Sequence, residues 1–156
     1  MSDEEAQKPL TELLAPASIR LDAVAADRDD AIKQAGAALV EAGAVDPGYV
    51  DAMLERENSV STFVGEGVAI PHGTLAGKDA VKDDAIVVLR FPDGVDWDGN
   101  PVSVAVGIAA KGNGHIALLS QLATVLLDPD KAAALRGATT ADRVYELLAS
   151  SDEDDE

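Results

Sequence analysis

The first third of the chain has the apolar spacing of a short strand followed by two helices. Apolar residues alternate from Ile19 to Val24, which predicts a strand at a sheet edge. Asp27 is a favoured N-cap residue, and apolar positions then recur at helical spacing until Gly43, a favoured helix end. Pro47 predicts the first turn of a second helix, which we expect to end near Asn58.

The middle of the chain changes to short stretches typical of β-strands. Ser61 to Phe63 and Gly67 to Ile70 predict two short strands joined by a turn. The continuous apolar runs Ala85 to Phe91 and Val102 to Ala109 are typical of strands that are covered on both faces. Between those runs, the Pro- and Gly-containing stretch 92–101 predicts a loop around Trp97.

Helical spacing returns after His115, and Pro129 and Thr140 each predict the start of a further helix. Helices therefore stand on both sides of a group of strands along the chain. This order predicts an α/β fold, a three-layer α/β/α sandwich with a mixed β-sheet of about four to five strands.

Charge and polarity divide the chain into a body and two acidic ends. The net charge is −17, and eight of the acidic residues lie at Asp3–Glu5 and Asp152–Glu156, which leaves −9 for the remainder. We expect a flexible N-terminus at 1–15, one domain at 16–150 and a disordered acidic tail at 151–156. An acidic body disfavours nucleic acid as a partner, and its acidity is also explained by solubility or by a salt-rich cytoplasm.

Composition excludes several kinds of chemistry. Cysteine is absent, so disulfides, thiolate metal sites and cysteine nucleophiles are excluded. The chain has no apolar run of about 18 residues, and its polar start differs from a signal peptide. We therefore expect a cytoplasmic protein without membrane insertion.

The two histidines of the chain occupy similar positions in the sequence. His72 follows the apolar stretch VAIP, and His115 follows a predicted strand and the loop KGNG. Ligand sites of α/β sheets are built where strands run out into such loops. If the two strands are neighbours, both rings could reach one shallow depression. Ordinary surface or capping histidines would look the same, and a zinc site is a further alternative, although no metal-ligand spacing supports it.

Arg56 ends the second predicted helix, just before the chain turns towards the strands. A cation there stabilises the helix macrodipole, and a guanidinium near the histidines would equally bind phosphate oxygens, so spacing alone does not decide between the two roles.

The glycine-rich piece GEGVAIPHG matches neither the P-loop nor the GxGxxG pattern. GxSxG is also absent, which argues against nucleotide, dinucleotide and serine-hydrolase chemistry.

Two segments together resemble a known family. RENSVSTFVGEGVAIPHGT (Arg56 to Thr74) resembles the active-site segment of the mannitol/fructose class of IIA domains of the bacterial phosphoenolpyruvate-dependent sugar phosphotransferase system. VAVGIAAKGNGHIALLSQLATVLLD (Val104 to Asp128) is similar to the second histidine motif of that family. The resemblance extends from about Ile19 to Leu148, and PHGT with GIAA and HI is most similar to the mannitol type.

The resemblance implies a phosphocarrier without a cofactor or a metal. His72 would accept a phosphoryl group on Nε2 from the phosphohistidine of HPr and pass it to a cysteine of a IIB domain during sugar uptake. His115 would stabilise the phosphoryl group, and Arg56 would stabilise its charge. A nitrogen-type regulatory IIA protein, which signals through its phosphorylation state, is the alternative within the same family.

Overall fold

The computed structural model describes residues 13–14, 16–59, 61–73, 80–109, 120–122 and 124–153. Its centre is a five-stranded sheet with the order β1-β4-β5-β3-β2. The strands are β1 (Ile19–Arg20), β2 (Phe63–Gly65), β3 (Val68–Ala69), β4 (Ala85–Trp97) and β5 (Asn100–Ala109). The pairs β1/β4 and β3/β5 are parallel, and β4/β5 and β2/β3 are antiparallel, so the predicted mixed sheet is confirmed.

Helices cover both faces of this sheet. They are α1 (Arg28–Glu41), α2 (Tyr49–Ser59), α3 (Pro129–Arg136) and α4 (Ala141–Glu153), and residues 120–122 and 124–126 are also helical. A 3₁₀ turn at Pro16–Ser18 leads into β1.

Side chains of strand β4, which lies between β1 and β5, alternate between two hydrophobic cores. Ile86 and Val88 belong to the core that α3, α4 and the helical residues 120–122 and 124–126 cover. Val87 and Leu89 point to the opposite face and belong to the core that α1 and α2 cover. This alternation follows from the two-residue period of a strand, and it confirms the three-layer α/β/α arrangement.

Three helices begin where the sequence predicts, and each has a side-chain cap at its start. The Asp27 carboxylate accepts the amide of Asp30 at 2.9 Å and caps α1, while Asp128 caps α3, in which Pro129 occupies the first turn. Thr140 Oγ1 accepts the amide of Arg143 at 3.2 Å at the start of α4. The caps therefore fix these three starts as expected.

Two helix boundaries differ from their predicted positions. α2 begins at Tyr49 instead of Pro47, after a turn in which the Tyr49 amide donates to Asp46 O at 2.9 Å. α4 continues to Glu153, inside the segment 151–156 assigned to the tail. Residues 1–12, 15 and 154–156, which contain most of the two predicted ends, lie outside the described residues.

Among the helices described, none has the length and apolar character that crossing a bilayer requires.

The predicted loop at 92–101 is wrong, because β4 and β5 form a continuous hairpin there. β4 extends to Trp97, and the two residues Asp98 and Gly99 make the whole connection, with φ of 57° and 92°. Positive φ at both positions is the geometry of a tight hairpin turn, and Asp-Gly is its favoured sequence. A register shift between Arg90 and Val95 accommodates the Pro and Gly that suggested a loop.

We expect Gly99→Ala to destabilise the protein by roughly 1–3 kcal/mol, since an alanine at a φ of 92° is strained. Gly48→Ala is the matched control. At both glycines an added Cβ atom would have no neighbour within 4 Å, but Gly48 lacks a positive φ and its substitution should be neutral or slightly stabilising. Urea unfolding measures both, and equal free energies of unfolding for the two variants would contradict the turn assignment.

Candidate functional site

His72 lies at the sheet edge where two parallel strands end together. After β3 ends at Ala69, the chain continues beside β5, and His72 forms a parallel bridge with Ile108. Because β3 and β5 are parallel neighbours, the chain leaves both at the same edge of the sheet. Such neighbouring strands were the condition for a site shared by the two histidines. His115, which follows β5, lies outside the described residues.

A backbone carbonyl two residues earlier in the chain holds the imidazole of His72. Nδ1 lies 2.7 Å from the carbonyl oxygen of Ile70, and a carbonyl can only accept a hydrogen bond, so the neutral ring carries its proton on Nδ1. The lone pair of the neutral ring is then on Nε2. His72 is only 7 % exposed, so most of its side chain is buried.

Hydrogen bonds to three other parts of the fold fix the backbone around His72. The amide of Ile70 donates to Thr62 O at 3.0 Å, and the amide of Ile108 donates to Pro71 O at 3.0 Å. The amide of Gly73 donates to the hydroxyl of Tyr49 at 2.9 Å. The residues on both sides of the ring are therefore tied to β5, to α2 and to the segment that precedes β2.

A buried carboxylate connects the end of α2 to this segment. Glu57 is 3 % exposed and accepts hydrogen bonds from the amide of Thr62 at 2.8 Å and from the indole Nε1 of Trp97 at 2.9 Å. The Thr62 hydroxyl donates to the other carboxylate oxygen. Three donors on one carboxylate offset the cost of burying it, so Glu57 joins α2, the strand β4 and Thr62 into one unit.

Arg56 lies in the last turn of α2, where it is half-buried. Its neighbour Glu57 bonds Thr62, and Thr62 in turn accepts from Ile70, whose carbonyl holds the ring of His72. The structure thus connects the helix end that carries Arg56 to the segment that contains His72 through three hydrogen bonds. A cation at this helix end also favours the macrodipole, so both predicted roles of Arg56 are compatible with its position.

Tyr49 and Glu57 were not predicted from the sequence. Both belong to the buried face of α2, which consists of Tyr49, Met53 and Glu57 at a constant spacing of four residues. That spacing could have identified Glu57 in the sequence, because it places a carboxylate on an otherwise apolar helix face, where the carboxylate requires hydrogen-bond donors.

Burial raises the pKa of Tyr49, and the hydrogen bond from Gly73 opposes this rise only in part. The phenol therefore stays protonated at neutral pH. The hydroxyl can therefore donate a hydrogen bond to the carbonyl oxygen of Ile108, which lies 2.9 Å from the hydroxyl oxygen.

Within the described part of the chain, no three His, Cys, Asp or Glu side chains are grouped closely enough to hold a metal ion. The zinc alternative required His115, which is not among those residues, and it stays untested.

Comparison with known proteins identifies the family. Residues 12–151 match the family model for the phosphoenolpyruvate-dependent sugar phosphotransferase system, EIIA 2. The match covers most of the sequence, and the chain therefore belongs to this family.

Three relatives show the range of the similarity. A multiphosphoryl transfer protein of Escherichia coli is 50% identical over 125 residues, which are 80% of this chain but 33% of that protein, so the chain spans a third of its length. The mannitol-specific phosphotransferase enzyme IIA component of Halalkalibacterium halodurans is 41% identical over 141 residues, 90% of this chain and 97% of that protein. The structure of the complex of enzyme IIAMTL and phosphorylated enzyme IIBMTL from Escherichia coli superposes with a TM-score of 0.83 at 37% identity, covering 88% of this chain and 99% of that one.

We expect Glu57→Gln to destabilise the protein by roughly 2–3 kcal/mol, because the amide presents N–H groups to donors that need an acceptor. Urea unfolding followed by the fluorescence of Trp97, the single tryptophan, measures this loss, and the emission of the folded state should change because the indole loses its charged partner. Glu55→Gln is the control, since Glu55 is exposed on the same helix. Equal stability of the two variants would contradict the anchoring role of Glu57.

Proposed function

We propose that this chain is a phosphocarrier that accepts a phosphoryl group from phospho-HPr on Nε2 of His72 and donates it to a cysteine of a IIB domain. The sugar whose uptake this relay would drive is mannitol or a related polyol. The unit that carries the activity is the domain at 16–150, and its place of action is the cytoplasm.

The observation that carries this proposal is the hydrogen bond between Nδ1 of His72 and the carbonyl of Ile70. It places the proton on Nδ1 and leaves the lone pair on Nε2, the nitrogen that must attack. As the Nε2–P bond forms, the P–N bond of the donor phosphohistidine breaks and its electron pair returns to the donor ring. The positive charge that develops on His72 is stabilised by the same carbonyl.

Charge around the phosphoryl group is the second requirement. Its oxygens need cationic or hydrogen-bonding partners throughout the transfer, and a guanidinium binds two of them at once. We assign this role to Arg56, whose helix end is joined to the acceptor segment through Glu57 and Thr62. We assign His115, which follows β5 in the sequence, to stabilising the phosphoryl group, because β5 is the parallel neighbour of β3.

The names of the relatives support the choice of partners. The mannitol-specific IIA component matches almost along its full length, and the similar structure is a complex with phosphorylated IIBMTL. A multiphosphoryl transfer protein among the relatives supports a relay between proteins rather than transfer from a small molecule.

In the presence of phosphoenolpyruvate, enzyme I and HPr, we expect the chain to take up one acid-labile phosphoryl group, and His72→Ala to take up none. Autoradiography or intact-protein mass spectrometry measures the uptake. His115→Ala is the matched histidine variant, which should still be phosphorylated but should pass the group on slowly.

A mannitol-type IIB domain then serves as the acceptor. Full and stable labelling of His72→Ala would disprove the assigned acceptor, and normal transfer by His115→Ala would disprove the second role. A wild-type chain that is labelled by HPr but transfers to no IIB domain would instead favour the regulatory alternative.

Arg56→Gln should lower the rate of phosphoryl uptake about 100-fold, the usual effect of removing one charge-stabilising donor from a transition state. Rapid-quench kinetics with phospho-HPr measures this rate. Arg143→Gln is the matched control, because Arg143 is an exposed arginine of α4 that pairs with Glu146. An unchanged rate in Arg56→Gln would leave only the helix-capping role for this residue.

A further inference from the structure

The hydroxyl of Tyr49 connects the chain around His72 to the neighbouring strand. It accepts a hydrogen bond from the amide of Gly73 and donates one to the carbonyl of Ile108, each at 2.9 Å. In a parallel ladder, these are the two groups that would bond each other next to a bridge between His72 and Ile108. The hydroxyl thus lies within the ladder as its connecting group, one residue beyond the histidine.

The ring of Tyr49 also fits against the backbone of Gly73. A Cβ atom at position 73 would lie 2.6 Å from Cε1 and 2.9 Å from Cζ of the ring, which is closer than non-bonded carbon atoms can approach each other. Glycine is therefore required here for the phenol to reach the two backbone groups. The ring and the hydroxyl of Tyr49 together fix the position of the backbone at Gly73, directly after His72.

Tyr49 itself is held firmly. It is 4 % exposed in the core under α1 and α2, and its own amide is bonded to Asp46 O at the start of α2. The last turn of the same helix carries Glu57, which anchors Thr62 and, through it, Ile70. One helix face therefore holds the acceptor segment on both sides of the imidazole.

We propose that Tyr49 is a positioning residue for His72, acting through its hydroxyl on the backbone of Gly73 and Ile108; this rests on the proposed phosphocarrier function. The side chain makes no bond to the phosphoryl group in this assignment. It fixes the backbone from which the imidazole projects, so that Nε2 meets the donor phosphorus in line. Phosphoryl transfer depends on such alignment, and a displacement of about 1 Å can cost about 100-fold in rate.

Tyr49→Phe tests this assignment, since it removes one oxygen atom and keeps the ring. With phospho-HPr as donor, we expect kcat for phosphorylation of His72 to fall about 10- to 100-fold, while the KM for phospho-HPr stays within about twofold. KM should be unaffected because the buried hydroxyl does not form part of the protein-docking surface. Tyr145→Phe is the matched control, as it removes a hydroxyl that donates to Leu14 O in the other core and should keep wild-type kinetics.

A spectroscopic readout separates positioning from mere stabilisation. The ¹⁵N chemical shifts of the His72 ring should report the Nδ1–H tautomer in the wild type and a mixture of tautomers in Tyr49→Phe. Gly73→Ala, which pushes the same ring away, should give the same mixture and a similar loss in kcat. Circular dichroism and thermal unfolding give the folded fraction of each variant, by which its rate is corrected.

Wild-type kinetics in Tyr49→Phe would overturn the proposal, as would a rate loss that the folded fraction fully explains. Unchanged ring shifts in both variants would overturn it independently of any rate. If the wild-type chain takes up no phosphoryl group from phospho-HPr, the proposed function is overturned and the positioning role falls with it. If the wild type is labelled and Tyr49→Phe is labelled equally fast, only the positioning role fails.

Discussion

The hydrogen bond between Nδ1 of His72 and the carbonyl of Ile70 is the interaction on which the site depends. It selects one tautomer of the neutral ring, fixes the plane of the imidazole and leaves the ring's lone pair on Nε2. A hydrogen bond between residues as close in sequence as His72 and Ile70 keeps its geometry only if the backbone between them is fixed. Ile70 is bonded to Thr62, Pro71 to Ile108 and Gly73 to Tyr49, so each residue flanking the ring is tied to a different part of the fold.

Much of this support comes from polar groups in the interior, where hydrogen bonds cost the most to break. An unpartnered buried donor or acceptor costs roughly 1–3 kcal/mol, so the bonds of Glu57 and Tyr49 hold their partners in one arrangement. Buried polar groups satisfied in this way contribute specificity of structure more than net stability. The buried face of α2 carries both residues, and this explains how one short helix can fix the segment around His72 at two separate points.

The layered fold could be predicted from the sequence because it follows from local patterns. Each of its elements was signalled by residues that are close together in the sequence. Examples are the helix starts at Asp27, Pro129 and Thr140 and the continuous apolar run from Ala85 to Phe91. The hairpin at Asp98 and Gly99 was missed because Pro92 and Gly94 signalled a loop, whereas a register shift accommodates them within the strand. Arg56 and His72 stood out through their sequence motif. Tyr49 and Glu57 did not, since their roles depend on Gly73, Ile108, Thr62 and Trp97, contacts that only the folded chain brings together.

The most direct test of the proposed acceptor chemistry is to determine which nitrogen of His72 carries the phosphoryl group. Nuclear magnetic resonance of the ¹⁵N-labelled phosphoprotein, with ³¹P–¹⁵N couplings, distinguishes the two ring nitrogens. We predict phosphorylation on Nε2, with the proton on Nδ1 retained and still bonded to the Ile70 carbonyl. A phosphoryl group on Nδ1 would contradict this chemistry, because that nitrogen could then no longer donate the hydrogen bond on which the site is built.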